Sequence, residues 1–155
     1  MENFLTAGNH LASLNDESKI YSATGAGRIP WVSVQDIANV GFHALTSPQP
    51  LNTDLLILGP KLLTYDDLAE IFRSILNRKI TYQELDEAGL AALHRRFGVP
   101  EEYARVLAGM DTAIKNGSED RINEVVRRVT GREPRRFADF VEANKEGWSL
   151  SLHQP

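Results

Sequence analysis

Leu55-Leu56-Ile57-Leu58, closed by Gly59-Pro60, is an unbroken apolar run with no polar residue for either face of a pleat. Such a run predicts a strand buried on both faces, the pattern of parallel sheets covered by helices. It needs a neighbour on each side. The flanking sequence supplies the helices. Ser33 with Asp36 three positions on predicts a capped helix start. Ile37, Val40, Gly41, Ala44 and Leu45 follow at helical spacing, and Pro48 and Pro50 stop them. Thr64 with Asp67 repeats the capping pattern ahead of an amphipathic stripe of Leu68, Ile71, Phe72, Ile75 and Leu76. Further short strands are expected over residues 21–24, 29–32 and 80–85. This alternation predicts parallel strands with crossover helices. So few strands make a thin sheet, and the chain reads as part of a larger one.

Beyond residue 85 the pattern is helical. Leu90, Leu93 and Phe97 mark one short helix. Pro100, Glu101 and Glu102 suit the start of a second, with Tyr103, Val106, Leu107, Met110 and Ile114 expected inward and Asn116-Gly117 as its end. A third is expected from Ser118, with Ile122, Val125, Val126 and Val129 inward, stopped at Gly131. Phe137, Phe140 and Val141 predict a fourth. The expected organisation is α/β over residues 1–85, a helical region over 86–150 and a frayed tail over 151–155. Residues 1–14 are expected to form a helix or an irregular arm.

Charge and composition narrow the functional classes. Seventeen Lys and Arg against 21 Asp and Glu give a net charge of −4, which exerts no general pull towards nucleic acid or anionic membrane. With no cysteine there is no disulfide framework and no thiolate chemistry. No apolar run approaches the ~20 residues of a membrane span, and the first residues lack the basic start and apolar stretch of a signal peptide. The expectation is a soluble cytoplasmic protein with neither nucleic acid nor membrane as partner.

Spacing alone names no catalytic residue. Thr24-Gly25-Ala26-Gly27-Arg28 is glycine-rich, but Ile29-Pro30 follows, and an X-Pro pair opposes the helix start that a dinucleotide loop needs. A turn is expected there. His10, His43, His94 and His153 show no metal spacing; His43 and His94 are expected at the surface, and His10 lies in an arm with Asn3 and Phe4. Asp36 and Asp67 are expected as helix caps. Arg127, Arg128, Arg132, Arg135 and Arg136, interleaved with Glu124, Glu133 and Asp139, predict a solvated face with ion pairs. Phe4, Tyr21, Trp31 and Trp148 fall outside the amphipathic stripes. Such large flat side chains could line a pocket for an aromatic or polycyclic ligand, or pack in a core or interface.

Longer stretches carry a resemblance. Met1-Glu2-Asn3-Phe4, Lys19-Ile20-Tyr21-Ser22-Ala23-Thr24-Gly25 and residues 28–38 resemble the NmrA-like group of atypical short-chain dehydrogenases. Leu56-Ile57-Leu58-Gly59-Pro60, Leu63-Thr64-Tyr65-Asp66-Asp67-Leu68-Ala69 and Asp111-Thr112-Ala113-Ile114-Lys115-Asn116-Gly117 are more specific, and look most like the fungal ergot-alkaloid reductases, the festuclavine and agroclavine dehydrogenases. The resemblance reaches about Trp148 and covers only the C-terminal half of that family. It implies an NmrA-like Rossmann-type fold and an oxidoreductase using NADPH or NADH on a C=N bond, namely an ergoline iminium derived from chanoclavine-I aldehyde. An iminium is already electrophilic, so orientation and exclusion of water matter more than acid catalysis. By position, Asn3, Phe4, Tyr21 and Trp31 are the expected substrate-pocket residues, with no catalytic proton donor and no metal. The dinucleotide is expected to be held mostly by an N-terminal dinucleotide-binding subunit, forming a hetero-oligomer with this chain around a small alkaloid substrate. A non-catalytic NmrA-like binding or regulatory module and an inactive truncated product are the alternatives.

Overall fold

The computed structural model describes residues 1–6 and 9–148. The tail expected over 151–155, with His153, lies outside them. A short 3₁₀ turn at Glu2–Phe4 leads to helix α1 (Asn9–Ala12), which runs into a π turn at Ser13–Glu17. Strand β1 (Lys19–Ser22), β2 (Ile29–Pro30), α2 (Val34–Thr46), β3 (Leu62–Leu63), α3 (Tyr65–Leu76) and β4 (Thr81–Glu84) follow. The remainder is helical: α4 (Glu87–Arg96), α5 (Glu101–Lys115), α6 (Val125–Thr130), α7 (Phe137–Ala143) and a 3₁₀ turn at Lys145–Trp148.

The fold is α/β with a short parallel sheet followed by helices. β1 and β4 pair in parallel, Lys19 opposite Thr81 and Ser22 opposite Glu84. Two expected strands behave differently. Residues 29–32 do not join the parallel sheet; β2 makes a two-residue antiparallel bridge to β3, Ile29 opposite Leu63. Residues 55–58 are not in a strand. A strand exists only where its backbone groups find a partner ladder, and this apolar run has none among the described residues.

The helix starts follow local chemistry. Thr64 and Asp67 form a complete capping box: the Thr64 hydroxyl accepts from the Asp67 amide at 3.1 Å, and the Asp67 carboxylate accepts from the Thr64 amide at 2.8 Å. At α2 only half of the expected box is present. The Ser33 hydroxyl accepts from the Gln35 amide at 3.1 Å, whereas Asp36 is buried and accepts from the Arg135 amide at 2.9 Å. Asp36 therefore pins the loop before α7 against α2 and is not a cap.

The main core joins both ends of the described chain. Phe4, Leu14, Ile20, Leu68, Phe72 and Ile80 pack with Phe137, Phe140, Val141 and Trp148. The Trp148 indole donates to the Phe4 carbonyl at 2.8 Å. This core crosses the boundary expected at residue 85. On α5 the expected inward face is turned outward: Ala104 and Ala108 are buried, while Tyr103, Val106 and Met110 are exposed. Small side chains let helices approach closely, and Ala108 packs with Leu90 and Ala91 of α4. Ile122, also expected inward, is exposed because α6 begins only at Val125.

Candidate functional site

Trp31 lines an apolar hollow. It follows β2, whose Pro30 carbonyl accepts from the Gly59 amide at 3.0 Å. This crossing is tight: a β-carbon on Gly59 would lie 1.8 Å from the Trp31 carbonyl oxygen. The indole meets Tyr65 edge-on, with centroids 5.4 Å apart, and lies 5.5 Å from Phe4 and 5.8 Å from Phe137. A pocket of about 380 Å³ opens beside it, walled by Leu63, Ile71 and Phe137 and rimmed by Lys61 and Arg136. The Trp31 indole N–H is buried without a hydrogen-bond partner among the described residues. Arg136 is held by two bonds to the Asp139 carboxylate, at 2.8 and 2.6 Å.

The expected pocket residues do not all meet here. Trp31 lines the pocket. Phe4 is fully buried and backs it, stacked on His10 at 4.5 Å and tilted against Phe72 at 5.5 Å. Asn3 is exposed. Tyr21 lies in a separate hollow of about 330 Å³ with Glu17, Leu85, Leu93, Arg96 and Phe97. Its phenol donates to Glu17 at 2.6 Å, and that bond, with burial, pushes its pKa up to about 12. Tyr21 thus keeps its proton at physiological pH. Phe137 and Lys61 join Trp31 here without having been expected to. Their sequence signals, a core aromatic at a helix start and a lysine after Gly59-Pro60, point to no site without the tertiary fold.

The remaining polar interior is structural. Asp111 accepts from the Ala23 amide at 2.8 Å, and burial raises its pKa despite that bond. His94, expected at the surface, is buried, and burial lowers its pKa. His10 has a buried Nδ1 without a partner among the described residues, and burial followed by the nearby His94 lowers its pKa to about 4. The glycine turn is closed: the Gly27 amide donates to the Thr24 carbonyl at 2.8 Å, and a β-carbon on Gly27 would lie 2.5 Å from the Ile114 carbonyl of α5. It leaves no cradle for a pyrophosphate. Two arginines of the basic run are ion-paired, Arg127 with Glu133 at 3.2 Å and Arg136 with Asp139. Among the described residues no group of three or more His, Asp or Glu could hold a metal, and no helix is long and apolar enough to cross a membrane.

No family model matches the chain. It is 45% identical over 151 residues to agroclavine dehydrogenase of Claviceps fusiformis, spanning 97% of this chain and 52% of that enzyme. It is 45% identical over 150 residues to festuclavine dehydrogenase of Aspergillus fumigatus, spanning 96% of this chain and 51% of that enzyme. Among solved structures, the NADPH-dependent quinone oxidoreductase of Escherichia coli in complex with NADPH superposes with a TM-score of 0.78 at 23% identity, over 87% of this chain and 49% of that one, which shows a shared fold. The chain spans about half the length of the curated relatives it matches. Over nearly all of its length it thus matches agroclavine and festuclavine dehydrogenases, consistent with the C-terminal half of such an enzyme.

Proposed function

We propose that this chain supplies the substrate-side part of an NAD(P)H-dependent clavine reductase. The substrate is an ergoline iminium derived from chanoclavine-I aldehyde, and the product is festuclavine or a related clavine. The observation that carries this reading is the 45% identity to agroclavine and festuclavine dehydrogenases across almost the whole chain. The apolar Trp31 pocket supports it, since a flat polycycle fits between an indole and aliphatic walls.

The glycine turn of this chain does not fit a dinucleotide, because α5 fills the space. The proposal therefore gives the cofactor to a separate dinucleotide-binding half. When bound there, a reduced nicotinamide would supply the hydride for the C=N⁺ carbon, and the amine would form with no proton needed. This chain's own residues bind, orient and exclude water. Trp31, Phe137 and Ile71 form the flat wall. The cationic nitrogen lies against the Trp31 face, where the ring attracts a cation, and away from Lys61.

The test is co-expression of this chain with the half of the Claviceps fusiformis enzyme that it does not match, followed by addition of the iminium with NADPH or NADH. Clavine formation with matching dinucleotide oxidation is expected. No product with either dinucleotide from a folded complex would overturn the reading. The closed glycine turn favours a second reading, a non-catalytic NmrA-like binding module. Under that reading calorimetry finds no binding of the clavine intermediate.

A further inference from the structure

The Trp31 pocket carries charge of one sign. Trp31, Leu63, Ile71 and Phe137 wall a space of about 380 Å³, and its charged lining residues are Lys61 and Arg136. Among the described residues no Asp or Glu lines it. The carboxylates next to lining residues in sequence are already engaged, Glu70 with Arg73 and Asp139 with Arg136. Two other hollows carry both signs. The Tyr21 hollow holds Glu17 and Arg96, and one along α4 and α5 holds Glu87 and Glu101 with Arg95 and Arg105.

Both cations stand on anchored backbone. Lys61 lies between the Gly59–Pro30 hydrogen bond and the pairing of Leu62 with Pro30. Arg136 follows Arg135, whose amide is bound by Asp36, and its own carbonyl accepts from the Phe140 amide at 3.1 Å. The Asp139 carboxylate takes Nε and Nη2 of Arg136, which fixes the plane of the guanidinium and leaves Nη1 without a hydrogen bond among the described residues. Lys115 and Lys145 have ion-pair partners, whereas Lys61 has none among the described residues. Asp139 offsets the charge of Arg136, so the net charge at the mouth is that of Lys61. Wall and mouth together meet two needs of one ligand. The wall removes a flat ring from water, and the ammonium and the open guanidinium edge donate to an anion.

We infer that this pocket binds a flat aromatic carboxylate, with its ring against Trp31 and Phe137 and its carboxylate on Lys61 and the Nη1 of Arg136. A single exposed ion pair is worth little. Here the sign of the rim decides, because an anion gains where a cation of the same shape loses, and the preference between them is the sum of the two effects. The iminium avoids that loss by keeping its nitrogen away from Lys61. An aromatic acid in the pocket covers the Trp31 wall and so excludes the iminium. That exclusion rests on the function proposed above; the binding of the acid does not.

The probes are naphthoate, naphthalenemethanol and naphthylmethylammonium, substituted at the same ring position: nearly one shape, with negative, zero and positive charge. Calorimetry on the full chain at neutral pH and low salt reads their affinities. The expected order is acid, alcohol, amine, with the acid about tenfold tighter than the amine. High salt narrows that gap. Lys61→Met removes most of it, and Lys61→Arg keeps it. Lys61 is exposed, so circular dichroism of both variants should match the parent. Equal affinity for acid and amine, a gap that Lys61→Met leaves unchanged, or no binding of the acid overturns the inference. In the reconstituted enzyme the acid should raise the KM for the iminium and leave kcat unchanged. An unchanged KM at saturating acid overturns the exclusion and keeps the acid site. Failure to form clavine counts against the proposed function only, since calorimetry on the chain alone decides the acid site.

Discussion

Glu2 holds the first turn of α2 from 31 residues away in sequence: its Oε1 accepts from the Ser33 hydroxyl at 3.0 Å and its Oε2 from the Val34 amide at 3.0 Å. Burial opposes ionisation of this carboxyl, but the bonds from Val34 and Ser33 outweigh it and hold the pKa below the usual carboxylate value. The arm therefore does the work expected of Asp36. Ser33→Ala and Glu2→Ala should each cost about 1–2 kcal/mol, and a double-mutant cycle in urea should show that the losses are not additive. A depressed folded pKa means that the Glu2 contribution is full above the unfolded value and declines as pH falls through the folded one. Additive losses would mean that the two residues do not act on one helix end.

His10 makes the chain acid-sensitive in a defined window. Its folded pKa of about 4 lies below the ordinary value of 6.5, so the folded state holds it neutral. Stability from this site is full above pH 6.5 and is lost as pH falls from there towards 4, at up to about 1.4 kcal/mol per pH unit. His10→Phe keeps a ring on Phe4 and removes the titration. Urea midpoints at pH 7 and pH 5 should differ less for the variant than for the parent. An equal difference in both proteins would place the acid sensitivity elsewhere.

Gly59 is required for space, not for an unusual turn. With a β-carbon 1.8 Å from the Trp31 carbonyl, Gly59→Ala must separate the two segments and break the Gly59–Pro30 bond. A loss of about 3 kcal/mol or more is expected, well above the usual effect of a point change. Thermal unfolding followed by circular dichroism measures it. A loss under about 1 kcal/mol would show that the crossing can relax.

Trp31 is the side chain on which the proposed substrate wall depends. In the reconstituted complex, Trp31→Ala should raise the KM for the iminium about tenfold, the worth of one large apolar contact, and leave the affinity for dinucleotide unchanged. Trp31→Phe should recover most of the loss. An unchanged KM, or a loss confined to dinucleotide binding, would move the substrate away from this pocket.

Elements governed by near neighbours are legible in the amino-acid sequence itself. The Thr64–Asp67 box, the run of α3 and the turn at residues 24–28 each depend on groups within a few positions. The failures share the opposite property. Asp36 has capping spacing, yet its partner is the Arg135 amide, 99 residues away. Tyr103, Val106 and Met110 are far larger than Ala108, yet it is Ala108 that α4 takes, because closeness of approach and not size decides that contact. His94 sits among arginines and is buried all the same. Of the pocket residues, Trp31 is legible as an aromatic without a stripe; Phe137 and Lys61 become its neighbours only through folding.

The apolar run at Leu55-Leu56-Ile57-Leu58 shows where that line falls. Sequence alone determined that this chain is an α/β piece whose run calls for strands on its flanks, because side-chain periodicity is a local property. Tertiary structure alone decided that those flanks are unfilled among the described residues, that the neighbouring helix presents Phe42 and Leu45 outward, and that Phe4 and Trp148 close the main core together. The reason is physical. Propensity and capping act within a turn of the chain, whereas a ladder partner, a buried face and a pocket wall depend on which distant segments pack together.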